Sequence, residues 1–305
     1  MRDKNSAIAK PRLSLSAPVS GAWWGLLGVA AFSFTIPFTR VAVGGFSALF
    51  VGSARAVVAA LLAAAALAIT RQPVPPRRLW GRIAVVAAGI VVGFPLLTSY
   101  ALERTSASHG AVVIALLPAA TAALAVIRGH ERPPRIFWAL TLLGACAAVG
   151  FALVQSGDIG RLQWADLLLF GAVLAAAVGY AEGGLLAREL GAWQTVSWAL
   201  MMSAPVMIAL TVLAARGTAI AAGPAEWAAL GYLSAVSMYL GFFAWYRGLA
   251  IGPMAQVSQI QLVQPVLSLI WAVLLLGESL SWQTAVGAVV VVGFAALAVR
   301  VRLHG

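Results

Sequence analysis

Charge is what this sequence has least of. Of its 305 residues, 10% are Asp, Glu, Lys or Arg, where a soluble domain carries about a quarter. That shortage, with 62% hydrophobic residues, excludes an ordinary soluble protein. The one cysteine, Cys146, excludes an intrachain disulfide. Set among alanines, it reads as a small packing residue. The three histidines, His109, His130 and His304, lie far apart and match no metal spacing, so neither metal nor cofactor is expected. His-Glu-x-x-His, Gly-x-Ser-x-Gly and P-loop patterns are missing, which argues against an enzyme. Long polar loops are missing too. The longest connection, from Arg216 to Glu226, cannot hold a soluble domain, so function belongs inside the helical bundle.

What is present is a series of apolar runs of about 20 residues, the length of membrane-spanning helices. A β-barrel would show alternation over about 10 residues instead. The runs fall at 21–39, 47–69, 79–101, 107–127, 135–154, 164–187, 193–215, 225–249, 254–276 and 282–300. Residues 1–20 are polar and basic, and read as a disordered cytoplasmic tail. A cleavable signal peptide is not expected, because the run that follows is a full span. The net charge of +11 does not point to nucleic acid, since no aromatic–basic motif accompanies it. Most of the basic residues fall on one side of the expected membrane, which places both termini in the cytoplasm. Trp23, Trp24, Trp80, Trp138, Trp164, Trp193, Trp227 and Trp282 lie near helix starts, where amphipathic rings favour the interface.

The chain repeats itself. Leu102, Pro118 and Glu131 recur 147 positions later as Leu249, Pro265 and Glu278. Further on, Gly144, Gly150 and Phe151 match Gly287, Gly293 and Phe294 at a slightly smaller offset. Five spans is an odd number, so a second set of five enters the membrane upside down. The expected fold is therefore an all-α integral membrane protein of ten transmembrane helices. They form two inverted five-helix repeats, 21–155 and 163–301, with a site near the midplane.

The ninth run is the most polar. Ser258, Gln261, Gln264, Ser268 and Trp271 step by three or four and share a face. Gln256 and Gln259 lie off it, nearer the cytoplasmic end. Amides in hydrocarbon are costly unless they face protein or a cavity. Tyr100, His109, Tyr180, Tyr239, Trp245 and Tyr246 complete a candidate lining for a small zwitterion with a partly apolar side chain. For each residue the plainer reading is a satisfied bond between helices. Pro118 and Pro265, partners in the repeat, are candidate paired bends for gating; a static kink is the alternative. Arg55 would bind a substrate carboxylate or pair with a residue such as Glu103. Glu182 would pair with Arg188 or snorkel. With no carboxylate clearly at mid-membrane, coupling through a central acid is not expected; His109 and Glu182 are the fallback proton carriers. Glu278 reads as a structural signature, stabilising the start of the tenth helix. Stripes of small residues, Gly171, Ala175, Gly179 and Gly183, Gly21 with Gly25, and Gly89 with Gly93, mark close helix contacts.

The chain resembles the drug/metabolite transporter superfamily of the EamA type. The resembling residues are Tyr100-Ala101-Leu102, Ser106 and Pro118, then Trp245-Tyr246-Arg247-Gly248-Leu249, Gly252-Pro253, Pro265 and Leu276-Gly277-Glu278. Arg55 also falls where that family often has an arginine. Within it, the chain is most similar to exporters of aromatic amino acids of the YddG type. Arg128-Gly129-His130-Glu131 departs from the usual Gly-Glu pair. The resemblance implies export of amino acids across the bacterial inner membrane, by alternating access around a central cavity. The implied partners are a small-molecule substrate and the lipid bilayer, and a monomer suffices. The alternatives are export of another metabolite or a drug-like cation, an intramembrane enzyme, and a scaffold without transport.

Overall fold

The computed structural model describes residues 17–129, 134–155, 163–217, 222–251, 257 and 260–304. Among these residues the protein is helical, without strands. Six helices are long and apolar enough to cross a membrane: α1 (Ser20–Ala42), α2 (Ala48–Ile69), α3 (Arg77–Leu102), α6 (Trp164–Leu190), α7 (Ala192–Arg216) and α8 (Pro224–Ile251). Four shorter apolar helices complete the series: α4 begins at Ala107, α5 at Arg135, α9 spans Val263–Leu276 and α10 begins at Trp282. Ser258, Gln256, Gln259 and Glu131 lie outside the described residues.

Helix starts follow from local chemistry. Ser47 and Ser106 each accept an amide from three residues on, Phe50 at 3.3 Å and His109 at 3.1 Å. Asp166 closes a capping box with Gln163, and Glu226 accepts the Gly223 amide at 2.8 Å. At the end of α9, Gly277 takes φ 64°. The Gly277 amide donates to Val273 and the Glu278 amide to Ala272, an αL helix end that a residue with Cβ would strain.

Packing is pairwise. α2 lies on α7, α4 on α9 and α5 on α10, while α1 packs on α8 and α3 on α6. The small-residue stripes sit in these contacts. A methyl on Gly89 would overlap Ala175 and Gly179, and one on Gly248 would lie 2.8 Å from the Gly25 amide. Cys146, expected as a packing residue, instead is exposed on α5. The helix-start tryptophans are exposed apart from the partly buried Trp193, as interfacial rings should be.

Three irregularities sit deep in the bundle. α1 breaks at Phe34 between Ser33 and Thr35. Pro37 has no amide hydrogen, so the Ser33 carbonyl loses its helical donor; the Ser268 hydroxyl replaces it at 2.7 Å. α4 breaks between Ile114 and Leu117, just ahead of Pro118, and α9 begins at Val263, just ahead of Pro265. Finally, α3 and α8 each widen into a π-helical segment, Ala87–Gly93 and Leu233–Leu240. These two segments stand at the offset of the sequence repeat. Such widenings are uncommon and gather at functional sites.

Candidate functional site

Arg55 organises the interior. It sits on α2, is 1% exposed, and lines a small internal cavity. Its guanidinium donates to the hydroxyls of Thr39 at 3.4 Å and Thr98 at 3.2 Å, and its Nε has no partner. No ion pair involves it among the described residues. A guanidinium offers five N–H donors in a fork that matches a carboxylate. Here a buried cation faces a cavity with two neutral contacts and unused donors.

The expected pairing with Glu103 is corrected. The Glu103 carboxylate accepts the Ala48 amide at 2.6 Å, at the start of α2. A helix start offers free N–H groups and positive potential, so it competes for the acid. Every other described carboxylate is engaged as well. Asp166 and Glu226 accept the amides of Gln163 and Gly223 at 3.0 and 2.8 Å. Glu182 pairs with Arg82, not with Arg188, and Glu189 pairs with both Arg82 and Arg78. Glu278 accepts from the amides of Ala107 and Ser108, both at 2.8 Å. It thus stabilises the start of α4 rather than that of α10.

Aromatic rings share the cavity with Arg55. Phe32, Tyr180 and Phe242 line the cavity, with Phe32 stacked on Tyr180 at 6.2 Å. Trp245, fully buried, backs Tyr180 at 5.7 Å. Gly28 lets it do so, because a methyl there would meet the Trp245 backbone nitrogen at 2.9 Å. Tyr246 donates to the Gly179 carbonyl at 3.0 Å, and Tyr239 shares a bond with Ser197. The two π-helical segments deliver Ile90 on one side and Ser237 and Met238 on the other. The Ser237 hydroxyl is bonded to that of Thr35 at 2.7 Å.

Gln264 reaches this cavity from α9 and also lines a second, smaller one with Gln261, Ser268, Pro118 and Pro265. The two repeat-related prolines therefore meet in one place. Other residues singled out in the sequence lie elsewhere. Tyr100 is 41% exposed and does not line either cavity. His109 is buried against Asp166, with Nε2 at 2.6 Å from the carboxylate. Trp271 donates to the Ser33 hydroxyl at 3.0 Å and stacks on Phe34 at 4.5 Å. Glu182 lines a surface pocket with Arg82 at the opposite end of the bundle from Glu278.

Phe32, Phe242 and Met238 carry no polar signal, and sequence reasoning passed over them. Asp166 was missed as the partner of His109; its position three residues after Gln163 marked a helix start, not a long-range contact. Among the described residues no group of His, Cys, Asp and Glu is suited to a metal ion.

A multi-pass membrane protein with a buried, partly polar cavity has the form of a membrane transporter. The EamA-like transporter family matches residues 19–153 and again residues 163–300, so the chain belongs to that family. It is 43% identical over 258 residues to the uncharacterized transporter YdeK of Bacillus subtilis (strain 168), covering 85% of this chain and 89% of that protein. A probable terminal-alkyne amino-acid exporter of Streptantibioticus cattleyicolor is 27% identical over 268 residues, covering 85% and 87%. A solved crystal structure superposes with a TM-score of 0.64 at 19% identity, over 94% of this chain and 98% of the other. At that identity it speaks for the fold alone.

Proposed function

We propose that the protein is a secondary transporter that exports neutral amino acids, aromatic ones among them, across the bacterial inner membrane. The observation that carries this reading is Arg55, buried without a carboxylate partner among the described residues and lining one cavity with Phe32, Tyr180 and Phe242. A substrate carboxylate would complete the guanidinium fork, and its side chain would lie on the rings. The amino-acid exporter among the relatives supports the same class.

Two inverted five-helix halves would rock around this cavity, with both termini cytoplasmic and a single chain sufficient. The matched pairings α1–α8 and α3–α6 support the inverted arrangement, as do the paired π-helical segments and the prolines that meet at one cavity. Export of a drug-like cation is disfavoured, because no described carboxylate lines either cavity.

The test is uptake of labelled amino acids into sealed liposomes holding the purified protein, with and without imposed pH and voltage gradients. Saturable uptake of a neutral or aromatic amino acid above the protein-free rate is expected. Uptake at the protein-free rate for every amino acid tried overturns the substrate assignment.

A further inference from the structure

Gln261 is 1% exposed, and neither polar atom of its side chain has a hydrogen-bond partner among the described residues. Gln264 is 5% exposed, and its Oε1 also has none. Buried amides are normally satisfied, so such atoms need an explanation. Both belong to the cavity closed by Pro118 and Pro265. Pro118 adds an acceptor to the cavity. Pro118 lacks an amide hydrogen, so the Ile114 carbonyl, on a residue lining the same cavity, has no donor four residues on. Pro265 does the same to Gln261, whose carbonyl takes the Gln264 amide at 3.1 Å instead.

We propose that this cavity is a binding subsite for a primary ammonium group, formed by the Gln261 and Gln264 side-chain oxygens and the Ile114 carbonyl. It rests on the reading of Arg55 as a carboxylate anchor. Gln264 lines both cavities, so the ammonium subsite adjoins the Arg55 cavity. A primary ammonium brings three donors and a positive charge to a place rich in acceptors and without a described carboxylate. Amide and carbonyl dipoles can stabilise that charge without adding a permanent one. A zwitterion held at both ends leaves Arg55 compensated, whereas an amine alone does not. The subsite therefore selects amino acids over both carboxylic acids and amines of the same shape.

The experiment measures binding of L-phenylalanine, 3-phenylpropionate and phenethylamine to the purified full-length protein by calorimetry. The unaltered protein should bind phenylalanine about tenfold or more tighter than phenylpropionate, the effect of one charge-assisted hydrogen bond. Gln261→Leu should weaken phenylalanine to the phenylpropionate level and leave phenylpropionate within about twofold, a change too small to count as a lost hydrogen bond. Gln261→Glu, which places a carboxylate beside the ammonium, should tighten phenethylamine by about tenfold.

Equal binding of phenylalanine and phenylpropionate by the unaltered protein overturns the subsite while leaving the Arg55 anchor standing. An unchanged preference in Gln261→Leu also overturns it, because the amides then hold only water. Should Gln261→Leu fail to fold, unchanged phenethylamine binding in Gln261→Glu overturns it equally. If the unaltered protein binds neither acid, the anchor reading fails and the subsite falls with it.

Discussion

The carboxylate of Glu278 accepts the amides of Ala107 and Ser108, one oxygen to each, both at 2.8 Å. Residues from opposite halves of the sequence thus complete one helix start. Gly277 makes it possible, because its left-handed conformation ends α9 just before the glutamate. The Leu276-Gly277-Glu278 pattern is therefore a device for docking α9 against α4.

Glu278→Gln should destabilise the protein by about 1–2 kcal/mol, since an amide offers one acceptor and no charge to the helix start. Thermal unfolding in detergent reads this directly. Transport per folded molecule should stay near that of the unaltered protein. A selective loss of transport with unchanged melting would instead place Glu278 in the transport cycle.

Arg55→Met should separate stability from function. An uncompensated buried cation costs free energy, so an apolar side chain of similar length should leave the melting temperature unchanged or raise it. Substrate binding should fall about 10–100-fold, the loss of a charge-assisted bidentate contact. Arg55→Lys should recover little, because an ammonium lacks the planar fork. A structural arginine would show the reverse, melting early while keeping affinity.

The ion-paired end of the bundle invites a double mutant. Arg82 bridges Glu182 on one side and Glu189 on the other, joining α3 to α6. Arg82→Gln leaves the buried Glu182 with less compensation and should cost about 3 kcal/mol. Adding Glu182→Gln should recover part of that loss. Melting temperatures of the two single mutants and the double mutant give the coupling.

Glycine substitutions test the packing. Gly28→Ala meets the Trp245 backbone at 2.9 Å and Gly248→Ala meets the Gly25 amide at 2.8 Å. Each should cost about 1–3 kcal/mol, because backbone cannot move aside as a side chain can. Gly81→Ala meets nothing within 4 Å and should instead gain about 0.5–1 kcal/mol from helix propensity. Unfolding in detergent should rank the three in that order.

Most helices were legible in the sequence to within a few residues: the run read at 47–69 is Ala48–Ile69, and that at 79–101 is Arg77–Leu102. The ninth was not: read at 254–276, it has a turn at Gln261 and Leu262 and a helix from Val263 to Leu276. The small-residue stripes were legible as contacts, since Gly89 does meet Ala175 and Gly179. Gln261 and Gln264 stood out because amides are rare in hydrocarbon. The partners were not legible. His109 read as part of a lining, yet Asp166 holds it. Ser268 and Trp271 shared a face with Gln264, yet they bind the broken turn at Ser33. A helical face says which side chains point together, not which neighbour they meet.

By itself the sequence determined that this chain is a helical membrane protein with a repeated plan. Apolar length, scarce charge and recurring prolines act locally, or at a fixed offset, and need no knowledge of packing. Tertiary structure alone decided which charges remain unspent. The sequence offered Arg55 a choice between Glu103 and a substrate. Folding gave Glu103 to the start of α2, where free amides compete for it, and left the arginine in a cavity it shares with aromatic rings, with donors to spare.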